Sequence, residues 1–204
     1  MAAGRDFHEV LSGRRMCRDF LPDALDELVV ERVVASALRA PSAGNTSSMD
    51  LVVLGGDDVG LYWDTTLSPQ RRASFPWPGL LEAPTLVLAY QEPEAYVRRY
   101  GEADKDRSGL GDGLDAWPVP YWWVDGGAAV MAMLLAAEAE GLGALFFGQF
   151  DHEEAVASAF GVPRGRRAIG TIALGLVRPG GRSRSASAAR GRPDPSSRIH
   201  PGRW

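Results

Sequence analysis

The feature that most constrains this chain is one helix-length segment with almost no polar face. Asp125 to about Glu140 reads as an α-helix, with Asp125 placed to cap it and Gly141 and Gly143 to stop it. Within it, Ala128 to Ala137 is the longest apolar run of the sequence. A helix that is apolar nearly all round has to be enclosed by other elements. The run falls short of the ~20 residues that span a bilayer, so enclosure by protein is the expectation. The 204 residues suffice for one medium domain with a real core. Shares of 45% hydrophobic and 24% charged residues match an ordinary globular chain and exclude disorder throughout. A net charge of -4 gives no general attraction to nucleic acid or to an anionic membrane. Cys17 is the only cysteine, which excludes an intrachain disulfide and suits a reducing compartment. Met1 to Glu9 lack the basic-then-apolar order of a signal peptide. The expected location is the cytoplasm.

Other elements fall into place around that helix. Phe7 to Leu11 can form a short amphipathic helix stopped by Gly13. Leu28 to Leu38 sets Val30, Val33, Val34, Ala37 and Leu38 on one helical face, and Pro41 ends it. Met49 to Leu54 and Pro84 to Tyr90 read as strands, with an irregular stretch and short helices between them around Trp63 and Trp77. Glu94 to Tyr100 suits a helix. Gly101 to Gly113, rich in glycine and charge, is expected to be a mobile loop and a candidate lid. Ala144 to Phe147 is a third strand. Asp151 and Glu154 have capping-box spacing for a helix to Phe160, and Ile169 to Val177 is the last strand. Residues 179–204 are rich in Gly, Ser, Arg and Pro and are expected to form an extended C-terminal arm on a single domain spanning 1–204. This order lacks regular strand–helix alternation. It argues for an α+β sandwich, helices on both faces of a sheet, over a doubly wound parallel fold.

The motifs of several common enzyme classes are missing. No glycine-rich phosphate loop opens a helix after a strand, and no GxSxG elbow occurs. His8, His152 and His200 lack metal-ligand spacing, so no metal is expected. What remains suits anions. Arg14, Arg15 and Arg18 cluster beside a helix end, and a planar guanidinium matches a phosphate. A solvated basic surface is the simpler account of the same residues. Ser42 and Asn45 sit in a loop of small polar residues that is also an ordinary turn. Phe147-Gly148-Gln149-Phe150 puts glycine at a strand end, where a ligand could approach the backbone closely or the chain simply turns. Arg190 and Arg192 by themselves only add charge to the tail.

Taken in order, these pieces resemble the nitroreductase family of FMN-dependent enzymes. The resemblance rests on Arg14-Arg15-Met16-Cys17-Arg18-Asp19-Phe20, Arg39-Ala40-Pro41-Ser42-Ala43-Gly44-Asn45, Gly141-Leu142-Gly143-Ala144-Leu145-Phe146-Phe147-Gly148 and Arg190-Gly191-Arg192-Pro193. Trp117 to Asp125 and Ile199 to Trp204 resemble stretches of an actinobacterial branch. Each motif is weak alone, and their joint order over nearly the whole chain is specific. The resemblance implies a three-layer sandwich with a mixed sheet flanked by helices, in an intertwined homodimer that binds FMN between its subunits. It implies that Arg14, Arg15, Met16 and Arg18 hold the phosphate and ribityl chain, with Arg190 and Arg192 closing on the phosphate. Ser42 and Asn45 would lie along the flavin. Phe147, Gly148 and Gln149 would line it, the latter two aiming backbone N–H groups at flavin N5 and O4. The helix from Asp125 would pack at the subunit interface, or equally serve as an internal core helix.

The activity so implied is ping-pong. NAD(P)H passes hydride to flavin N5, then a flat aromatic, nitro or quinone-like acceptor takes the electrons, and no side chain acts as acid or base. Tyr121, Trp122 and Trp123 could wall the acceptor site or merely pack at an interface. Three positions depart from the family pattern. Met16 stands where serine is frequent, Ser47-Ser48-Met49 follows Asn45 in place of a Gln-Pro-Trp-like segment, and Gln149 replaces a frequent glycine. The departures keep other roles open: a flavin-dependent tailoring dehydrogenase, a deazaflavin donor, or non-catalytic flavin storage. A nucleic-acid role for the arginine-rich Arg182 to Arg203 is disfavoured by the net charge.

Overall fold

The computed structural model describes residues 5–181 and 190–204. Residues 182–189, part of the expected arm and of the arginine-rich stretch, lie outside them. Four strands form one sheet: β1 (Met49–Gly55), β2 (Thr85–Gln91), β3 (Gly143–Phe147) and β4 (Arg167–Gly175). Their order is β1-β2-β4-β3, with every neighbouring pair antiparallel. The parallel part of the expected mixed sheet is confined, among the described residues, to a single bridge from Met16 to Ala144 on the free edge of β3.

β2 explains the layering. All seven of its residues are buried, as a strand covered on both faces must be. Leu86, Leu88 and Tyr90 enter one core, and Val87 and Ala89 enter the other. The first core is closed by α3 (Asp57–Thr66) and α7 (Glu153–Ala159), through Tyr62, Trp63 and Val156. The second is closed by α2 (Glu27–Ala35) and α6 (Tyr121–Ala139), through Val33, Val130, Met133 and Ala137. The result is the three-layer sandwich that the sequence suggested. The remaining helices are α1 (Phe7–Gly13), the short α4 (Pro69–Ala73) and α5 (Pro93–Tyr100).

Four local expectations are corrected. Helix α6 begins at Tyr121, directly after Pro120, so Asp125 is no cap and lies inside the helix, buried. The expected capping box at Asp151 does not form. A 3-10 turn over Phe150–His152 precedes α7, whose first residue, Glu153, uses its carboxylate to accept from Ala168 N and Arg167 Nε. The stretch between β1 and β2 holds a ten-residue helix, α3, with Val59, Tyr62, Trp63 and Thr66 on its buried face. Gly101 to Gly113 is a string of 3-10 turns bound to the body of the protein. The Trp117 indole donates to Leu110 O at 2.9 Å. A Cβ on Gly111 would stand 2.7 Å from the Gly101 backbone, so the two segments touch main chain to main chain. Among the described residues, no helix is long and apolar enough to cross a membrane.

Candidate functional site

Beyond Phe147 the chain leaves β3 through Gly148 and Gln149, next to a cavity of about 370 Å³. Its walls include Trp63, Phe75 and Trp77 from the connection between β1 and β2, with Arg18 at the side. Trp63 stacks on Phe147 with ring centres 5.9 Å apart and planes 11° apart. The Arg18 guanidinium lies 5.4 Å above the centre of Trp77, a cation–π contact that holds the cation at the cavity. Neither the Gly148 nor the Gln149 backbone N–H donates to a protein acceptor among the described residues. Two adjacent free donors beside an aromatic cavity are groups that a ligand oxygen or nitrogen can satisfy.

The Gln149 side chain points away from that duty. It is buried, accepting from the Tyr90 hydroxyl at 3.3 Å and donating to Thr171 Oγ1 at 3.2 Å. Tyr62 shares the same Thr171 oxygen at 3.0 Å. Burial pushes the Tyr62 phenol up to about 12 and raises that of Tyr90 as well. The departure from glycine at position 149 is thus absorbed by the core. Phe150 follows with a left-handed φ of 46°, and it is 84% exposed. Its ring lies 2.7 Å from where a Gly148 Cβ would stand, so a side chain at 148 has to displace the exposed Phe150 ring.

The arginine cluster separates into different roles. Arg14 is half-buried, and its Nε and Nη1 atoms are shielded from solvent with no hydrogen-bond partner among the described residues. Shielded guanidinium nitrogens without an acceptor are costly, and an anion is a group that satisfies them. Arg15 is exposed and bonds back to Ser12 O and Arg14 O, closing the end of α1. Met16 packs against both cores. Cys17 is buried, with its thiol directed at Asp19 O, which makes it a core residue.

Ser42 and Asn45 line a different cleft, about 220 Å³, with Tyr96 and Asp125 at its back. Asp125 Oδ2 accepts from Ala43 N and from the Tyr96 hydroxyl, each at 2.8 Å. Burial raises the Tyr96 phenol pKa well above its ordinary value, so Tyr96 remains a donor here. This cleft adjoins the second core, whereas the aromatic cavity adjoins the first. Within one chain the two sets of residues lie on opposite faces of the sheet.

The expected acceptor wall is divided. Trp122 is buried in an aromatic cluster with Tyr96 and Trp117, while Tyr121 and Trp123 are partly exposed, Trp123 beneath the Arg167 guanidinium at 5.5 Å. Arg190 and Arg192 are exposed and line neither cavity. Sequence inspection overlooked Trp63, Phe75 and Trp77 as cavity walls. The helical spacing of 59, 62, 63 and 66 was the available sign for Trp63.

The fold and the site together define a class. A family model described as the nitroreductase family matches residues 11–176, and the chain belongs to that family. Its fold is shared with a nitroreductase family protein from Streptococcus pneumoniae (17% identity, 96% of this chain and 99% of that one, TM-score 0.72). It is also shared with a putative NADH dehydrogenase/NAD(P)H nitroreductase from Bacteroides thetaiotaomicron (17% identity, 99% and 100%, TM-score 0.69). A third similar structure is the nitroreductase CinD from Lactococcus lactis in complex with nicotinic acid (20% identity, 93% and 99%, TM-score 0.69). No curated protein matches the sequence.

Proposed function

We propose that this nitroreductase-type oxidoreductase is a homodimer that binds FMN between its subunits and uses NAD(P)H to reduce a flat conjugated acceptor by a ping-pong reaction. The observation that carries the proposal is the aromatic cavity at the end of β3, with Arg18 at its side and the free N–H groups of Gly148 and Gln149 at its rim. The residues present fit the cofactor. Arg14 offers two shielded guanidinium nitrogens, without an acceptor among the described residues, to a phosphate, and the Trp63, Phe75 and Trp77 walls suit a planar ring. Gly148 and Gln149 would donate to the polar edge of the ring, where fixed dipoles stabilise added negative charge. Bound FMN would supply the two-electron redox centre, and the protein would supply orientation and exclusion of water.

Dimerisation is supported by where the site residues lie. Ser42 and Asn45 line a cleft on the second core, whereas the aromatic cavity adjoins the first, on the other face of the sheet. A ligand that touches both sets needs one of them from a second copy. The 179–204 arm, exposed over residues 190–204, would supply Arg190 and Arg192 to the partner's site. CinD, similar in fold, is described in complex with nicotinic acid and in complex with chloramphenicol. That agrees with a flat, aromatic ligand here.

The test is the visible spectrum of the protein after FMN addition and desalting, followed by NADPH or NADH without oxygen. A retained flavin band that either donor bleaches is the expected result. A retained band that neither donor bleaches points to flavin storage or to another donor, such as a deazaflavin. Loss of the band on desalting removes the cofactor assignment.

A further inference from the structure

Building on the flavin assignment above, we infer that Asp125 is a positioning residue. Its carboxylate holds the Ser42–Asn45 loop in the one shape that presents Ser42 and Asn45 to the bound cofactor. The starting point is a carboxylate that is 8% exposed in the middle of the most apolar helix of the chain. No arginine or lysine pairs with it among the described residues. An uncompensated buried carboxylate is costly, and an apolar residue would pack there without that cost. What Asp125 does instead is accept two hydrogen bonds on one oxygen, from Ala43 N in the loop and from Tyr96 on α5.

The loop needs holding. Gly44, Asn45 and Ser47 all have left-handed backbones, with φ of 64°, 55° and 47°. Two of these are not glycine, so the shape is one that the free peptide disfavours. Asp125 secures it from α6 at Ala43. Arg99 of α5 secures the next residue, donating from Nε to Gly44 O at 2.8 Å. The Tyr100 ring lies 2.9 Å from where a Gly44 Cβ would stand. A strained polar loop pinned by two helices, at the mouth of a cleft lined by its own Ser42 and Asn45, is organised before a ligand arrives.

The experiment compares the full-length wild type with Asp125→Ala, Asp125→Asn and Val33→Ala. Val33 is fully buried in the same core layer and does not line the Ser42–Asn45 cleft, so its truncation is expected to lower stability alone. Two quantities are read: the FMN dissociation constant, by flavin fluorescence, and amide exchange of 43–47 without flavin. Asp125→Ala is expected to weaken FMN roughly tenfold to a hundredfold, the size that losing a hydrogen bond to a charged group corresponds to. It also accelerates exchange in the loop. Asp125→Asn keeps an acceptor oxygen and returns both towards wild type. Val33→Ala lowers the melting temperature and leaves both unchanged. Wild-type affinity and exchange in Asp125→Ala, or an equal loss of affinity in Val33→Ala, overturns the inference. If the wild type itself binds no FMN, the cofactor assignment fails, and loop exchange in Asp125→Ala still decides whether Asp125 holds the loop.

Discussion

Thr171 shows how single residues set the chemistry of a face. It lies on β4, fully buried, and its one hydroxyl serves both Tyr62 and Gln149, while Tyr90 reaches Gln149 from the neighbouring strand. In the sequence, Gln149 stands out only as a departure from a frequent glycine. Nothing local says that its side chain turns inward, because its partners are 59 and 22 residues away. The network has a pH signature. Burial raises the Tyr62 phenol to about 12 in the folded state, against an unfolded value of about 10. A raised value favours the protonated form, so the contribution is complete below about pH 10 and is lost as pH climbs towards 12. Melting temperature followed upward from about pH 8 should hold steady and then fall above the unfolded value. Tyr62→Phe, with no phenol to ionise, should show a shallower fall. Equal slopes would remove Tyr62 from the account.

Helix α6 was the most legible element, since its composition demands burial whatever surrounds it. Its start was misjudged. Asp125 resembles a cap by residue type, and the residues that begin the helix, Tyr121 to Trp123, have no strong local preference for one. α3 was legible in principle, with its buried side chains at helical spacing, but its intervening polar residues hid it. The 101–113 segment was misjudged for a different reason: glycine and charge signal a loop, and only tertiary contact decides whether a loop is fixed. Close packing of α6 on the sheet gives a sharp test. A Cβ at Gly126 would stand 2.5 Å from Ile169 Cδ1 and 2.8 Å from its Cγ1. Gly126→Ala gains about 1 kcal/mol of helix propensity and meets an overpacking cost of about 1–3 kcal/mol. The expected result is a net loss of up to about 2 kcal/mol in denaturant unfolding. Adding Ile169→Val, which removes the Cδ1 methyl, should recover part of it. A single variant more stable than wild type would mean that Ile169 yields freely.

At the scale of the whole molecule, several apolar side chains find no cover within one chain. Trp204 is fully exposed, Ile199 is 66% exposed, and Leu28 and Leu38 on the α2 side are 64% and 65% exposed. Together with the division of the site residues between two faces, these side chains support the proposed dimer. The proposal that the 179–204 arm binds a partner is checked by a chain ended after Gly181. Light scattering is expected to show that chain as a monomer, and desalting to strip its flavin. A truncated chain that stays dimeric and keeps FMN would leave the arm without a part in either.

The sequence by itself determined the pieces whose signals are local. These are an enclosed apolar helix, strands at 49–54, 84–90 and 144–147, a polar loop at Ser42 to Asn45, and membership of the nitroreductase family, whose model matches residues 11–176. Each follows from periodicity, turn chemistry or composition within a short window. Only the tertiary structure decided which side chains meet. It buried Asp125 against a loop 82 residues away and left two Arg14 nitrogens without an acceptor among the described residues. It also brought Trp63, Phe75 and Trp77 to the end of β3 and set Ser42 and Asn45 on the far face. The physical reason is that desolvation and hydrogen-bond pairing depend on neighbours distant in sequence, which the folded packing alone supplies.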